Sequence, residues 1–109
     1  MKNGKAYWVK DTFEYIASPE EKPLEHTTAL VDIIVFSDDL IKMFVPKQKF
    51  LDRDYHIELK PDEIGLEFNG IDGDVTISCE VFSNLKKIMI YGNWKEREHR
   101  YTWWLIAEK

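Results

Sequence analysis

The sequence predicts an all-β protein, an antiparallel up-and-down meander of about eight strands closed into a barrel, with a two-sheet sandwich as the alternative. Three observations predict it. From Tyr55 onward, apolar and polar residues alternate with a period of two over several short runs. The runs are separated by clusters of Gly, Pro, Asn, Asp and Ser, the residues that turns use. These connections are also too short for the crossovers that parallel strands require.

In chain order, Ala6 to Ala17 reads as a long first strand. The connection from Ser18 to Thr28 opens with Ser18-Pro19-Glu20-Glu21, a capping box that Pro23 limits to about a turn of helix. Ala29 to Phe36 is the second strand. Leu30, Asp32, Ile34 and Phe36 share one face and Val31, Ile33 and Val35 the other, so something is expected to pack on its outside. Asp32 reads as a structural carboxylate near Thr27 or Thr28, with a polar hook for a ligand as the alternative. Ser37-Asp38-Asp39 is a hairpin turn before a third strand, Leu40 to Val45, closed by Pro46; a helix capped at the same turn is the less favoured reading.

Tyr55, Ile57 and Leu59 form the inner face of the next strand, and Lys60-Pro61-Asp62-Glu63 turns it into Ile64, Leu66 and Phe68. Asn69 to Asp74 reads as a turn; Ile71 and Gly73 stand where a calcium loop needs ligands. Val75, Ile77, Cys79 and Val81 line the following strand, and Ser83-Asn84-Leu85-Lys86 leads to Ile88, Ile90, Gly92 and Trp94. After the charged run Lys95 to His99, the last strand spans Arg100 to Ala107. Eight such strands close into a barrel that side chains just fill or that holds one small ligand, and closure removes the exposed edges.

At 109 residues the chain is read as one domain, 1–109. With 15 basic against 20 acidic residues, a net charge of −5 argues against nucleic-acid binding, which needs a basic surface to release counterions. The single cysteine, Cys79, has no internal disulfide partner. The expected home is therefore cytoplasmic, or periplasmic if a leader has been removed. No apolar run approaches the ~20 residues of a membrane span.

The order of a long first strand, a large first loop, Ile33-Ile34-Val35-Phe36-Ser37-Asp38-Asp39, then Tyr55-His56-Ile57, Ile64-Gly65-Leu66, Ile77-Ser78-Cys79, Ile88-Met89-Ile90 and Tyr101-Thr102-Trp103 resembles the small bacterial lipocalin-like (calycin) barrels. The likeness is one of strand pattern over most of the chain. That family carries a glycine two residues before a first-strand tryptophan, where this chain has Ala6 before Trp8. The resemblance implies a barrel that holds a small ligand, with Arg97 or Arg100 in the place of the basic residue that packs on the tryptophan.

The inward positions from Tyr55 to Trp94 offer only a phenol and a thiol as titratable groups, so no acid/base constellation is expected there and the protein is read as a non-enzyme without cofactor. This wall suits simple core or contact with a small apolar or amphipathic ligand, positioned by Tyr55, Phe68, Ile90, Trp94 and Trp103. Gly92 suggests space on the inner face, or else a close backbone approach. Because neighbouring strand residues face opposite ways, one of Trp103 and Trp104 must point out. Trp104, with Phe82, Met89 and Tyr91, forms an outward aromatic face for a homodimer or another protein partner, as an interaction or inhibitory module, unless the N-terminal segment or a loop covers it. His26, His56 and His99 lack metal-ligand spacing, although His26 sits where it would overhang a barrel mouth. Cys79 reads as a small buried hydrophobe. Lys42, Lys47, Lys49 and Arg53, with Phe50, read as a solvated loop, or as a rim for an anionic head group.

Overall fold

The computed structural model describes residues 2–10, 26–48, 51 and 53–109. Eight strands run in order: β1 (Lys2–Lys10), β2 (His26–Phe36), β3 (Ile41–Val45), β4 (Tyr55–Pro61), β5 (Phe68–Asp72), β6 (Val75–Ser83), β7 (Lys87–Glu96) and β8 (His99–Glu108). Every neighbour in the chain is an antiparallel neighbour in the sheet, and β1 pairs with β8 from Gly4↔Ala107 to Lys10↔Tyr101, closing the barrel. That closing register decides barrel against sandwich. Residues 11–17 of the expected first strand and the Ser18–Glu21 capping box lie outside the described residues, as do Lys49 and Phe50.

Period-two alternation becomes burial along β4, β6 and β7. Along β4, Tyr55, Ile57 and Leu59 are buried while His56, Glu58 and Lys60 are exposed. β6 and β7 repeat this with Val75, Ile77, Cys79, Ile88, Ile90 and Trp94. Among the described residues the buried positions hold apolar and aromatic side chains and Cys79, as the cost of burying unpaired polar groups requires.

Three expectations are corrected. Ile64 and Leu66 are not inward strand residues; they are 78% and 72% exposed, and β5 begins only at Phe68. The cause is Asp62, whose Oδ1 accepts hydrogen bonds from the Gly65 and Leu66 amides at 2.7 and 3.1 Å, while its own amide donates to the Glu67 carbonyl. This local network withdraws the segment from the sheet ladder. The turn expected over Asn69 to Asp74 then shrinks to Gly73-Asp74, because Asp72 pairs with Val75 and Gly73 takes φ 61° at the first central position, the place where type II′ hairpins use glycine.

The second correction concerns β2. Its register with β3 shifts between Ile33 and Val35, and this bulge turns Phe36 inward opposite Ile41 and Val35 outward opposite Lys42, reversing the expected faces beyond Ile34. Nor does the expected cover appear on its outside: among the described residues Leu30 and Ile34 remain 66% and 54% exposed. Asp32 lies half-buried on that outer face opposite Asn3 and Phe44, several residues along the strand from Thr27 and Thr28.

The third is Gly92, which does not open space. A Cβ there would fall 2.1 Å from the Ser78 carbonyl oxygen and 2.5 Å from the Cys79 Cα, so β6 and β7 approach at a distance that only glycine permits.

Candidate functional site

The meander brings one set of strand ends together: the end of β1, the start of β2, the residues following β3, the start of β4, and the β5–β6 and β7–β8 turns. At this mouth lies a cavity of about 550 Å³, within the range of small-molecule sites. The opposite half of the barrel is filled by Ile33, Ile41, Ile57, Leu59, Ile88, Ile90 and Leu105.

Aromatic side chains make the floor. Strand register places Trp8 opposite Trp103 and Trp94 opposite Tyr101. Trp94 meets Trp8 edge-to-face at a centroid distance of 5.3 Å and Tyr55 at 5.2 Å, an arrangement favoured by the ring quadrupoles. Trp8, Tyr55, Trp94 and Tyr101 line the cavity with Leu51. Trp103 packs behind them, fully buried at 6.5 Å from Trp8 and 5.7 Å from Trp94, and its indole N–H has no hydrogen-bond partner among the described residues.

The rim is polar and held by hydrogen bonds. Tyr55 donates its hydroxyl to the Glu96 carboxylate at 2.9 Å, and Trp94 donates its indole N–H to the same group at 3.3 Å. Arg53 lies over the Tyr55 ring at 4.4 Å and pairs with Asp72 at 2.9 Å and Asp74 at 3.0 Å. Arg97 reaches Asp74 from the other side at 3.0 Å, and that hydrogen bond holds the Asp74 carboxyl below its ordinary range. Arg97 is also the only non-glycine residue with positive φ among the described residues, at 56°. Such outliers cost free energy and concentrate at functional sites. Lys47, Gln48, His99 and Thr27 complete the lining; Gln48 is spent on the Leu30 amide and carbonyl and on the Pro46 carbonyl.

Of the five residues expected to position a ligand, the structure brings Tyr55 and Trp94 to the cavity and sets Trp103 directly behind its floor. Ile90 belongs to the filled half, and Phe68, opposite Pro61 and Cys79, packs in the core away from the mouth. Trp8, Leu51, Glu96, Arg97 and Tyr101 were not singled out as ligand contacts. The signal that would have found them is topological, since Trp8, Glu96 and Tyr101 fall near the ends of strands that the meander places side by side, and Arg97 in the β7–β8 turn. The basic stretch is dispersed: Lys42 pairs with Glu58 on the outer wall at 3.3 Å, Lys47 lines the cavity, and Arg53 braces Tyr55. His26 opens β2 at this mouth, whereas His56 is on the outer wall against the Phe44 ring.

Cys79 is buried, its thiol directed to the Phe68 carbonyl oxygen at 3.6 Å, and burial pushes its pKa up to about 12, so the nucleophilic thiolate is scarce. The outward set is also in place. Phe82, Met89 and Tyr91 are exposed, and Trp104 is partly covered by Tyr7, with which it stacks at 5.2 Å. No known family, curated protein or solved structure matches this chain.

Proposed function

We propose that the barrel binds a small amphipathic molecule at its open mouth, without chemically altering it. The observation that carries this reading is the 550 Å³ cavity with a floor of Trp8, Tyr55, Trp94 and Tyr101 and a charged rim. Apolar contact supplies the affinity and a few placed polar groups supply the orientation. Around the rim, Arg53 and Arg97 are taken up by Asp72 and Asp74 and the Glu96 oxygens accept from Tyr55 and Trp94, which leaves Lys47 as a cation lining the cavity without an ion pair among the described residues. An acidic or neutral polar end of the ligand therefore suits the rim better than an ammonium. The closed eight-stranded meander supports the lipocalin-like resemblance as part of the same reading.

Two of the four tryptophans, Trp8 and Trp94, line the cavity, so intrinsic fluorescence reports its occupancy. Titration with an anilinonaphthalene dye, medium-chain fatty acids, the matching alcohols and the matching alkylammonium ions should give saturable changes in emission, weakest for the ammonium series. Tyr101→Ala should weaken binding by about 1 kcal/mol through loss of aromatic contact. Emission unchanged across the whole panel would overturn the proposal.

A further inference from the structure

The polar side chains that line the cavity divide by what already engages them. Gln48 bonds to Leu30 and Pro46, the Glu96 carboxylate accepts from Tyr55 and Trp94, and Arg97 reaches Asp74. Thr27, Lys47 and His99 line the same cavity with no side-chain hydrogen bond or ion pair among the described residues. All three can donate a hydrogen bond, and Lys47 brings a positive charge. The backbone that carries Lys47 is nonetheless held firmly. Its amide donates to the Asp54 carboxylate at 2.7 Å, while Gln48 beside it exchanges two backbone hydrogen bonds with Leu51 and clasps both the amide and the carbonyl of Leu30. Strand register sets Thr27 against Trp8 and His99 against Glu96.

We infer, resting on the binding function proposed above, that the ligand is an organic acid and that Lys47 is the residue that selects it, receiving the anionic head while Thr27 and His99 supply further donors. Desolvation decides for an anion over a neutral head. A ligand seated on the aromatic floor displaces water from the Lys47 ammonium, and an anion replaces that hydration with a charge-assisted hydrogen bond, about twice as strong as a neutral one. A hydroxyl head leaves part of the loss uncompensated, and an ammonium head adds repulsion. Glu96, the one carboxylate among the described lining residues, offers a cationic head little in return, because Tyr55 and Trp94 already occupy it. A carboxylate head has two oxygens, so it can accept from Lys47 and from a second donor at once.

Titration of the whole chain with decanoate, decanol and decylammonium, followed by tryptophan emission and calorimetry, tests this, because the equal chain length cancels the apolar contribution. Decanoate should bind about fivefold more tightly than decanol, with decylammonium weakest. Lys47→Met, which keeps a stem of similar length without the charge, should bring the ratio of acid to alcohol affinity to about one. Lys47→Glu should invert the order, so that decylammonium binds more tightly than decanoate. Thr27→Val and His99→Gln should each lower that ratio about twofold. An unchanged far-ultraviolet circular dichroism spectrum verifies that each variant keeps its fold. Equal affinity of the wild type for acid and alcohol, or a preference for the acid that survives both Lys47 substitutions, overturns the inference and leaves the binding function standing. A folded chain that takes up none of the three, nor the anilinonaphthalene dye, overturns both.

Discussion

Gly92 shows how little freedom a single position has in a barrel of this size. Its missing side chain leaves room for the Ser78 carbonyl and the Cys79 Cα, and no flexible group stands in the way that could yield instead. Gly92→Ala should therefore destabilise the protein by about 1–3 kcal/mol, the usual cost of forcing extra volume into a packed interior, read as a lower denaturant midpoint at unchanged slope. Cys79 makes a second, chemical prediction. Its thiol is raised from 9.0 to about 12 in the folded state, so between those values the unfolded chain loses its proton first and stability falls as the pH rises. Compared with Cys79→Ala, the wild type should lose more stability over that interval, and its native thiol should resist a disulfide reagent at pH 8 that labels the denatured chain at once. Both residues were visible in the sequence as inner-face positions, but the neighbours that make Gly92 indispensable belong to another strand.

At the scale of the element, the hairpins separate what was legible from what was not. Ser37 behaves as its type suggests: the hydroxyl oxygen accepts from the Asp39 and Leu40 amides, the hydroxyl donates to the Leu40 carbonyl, and β2 turns into β3. Ile64 to Phe68 carried an equally clean alternation, yet it is mostly loop, because the Asp62 carboxylate offers the Gly65 and Leu66 amides partners that a ladder would otherwise supply. Asp62→Ala should cost about 1 kcal/mol and raise amide exchange in Gly65 and Leu66 while leaving β5 and β6 protected. Similarly, the bulge after Ile33 could not be read from composition. It depends on where β3 pairs, and a one-residue shift inverts every side chain beyond it.

For the whole molecule, closure is what creates the site. Trp8, Thr27, Tyr55, Trp94 and Tyr101 come from five different strands and meet only because β1 pairs with β8. The amino-acid sequence by itself determined the strand class, the antiparallel meander, the apolar interior and the division of Trp103 from Trp104, since each rests on alternation between neighbours a few residues apart. Tertiary structure decided the closing register, the end at which the interior stays unfilled, the clamping of Glu96 by Tyr55 and Trp94, and the apolar outer face shared by β6, β7 and β8. Those depend on which distant residues become neighbours, and local periodicity carries no record of that choice.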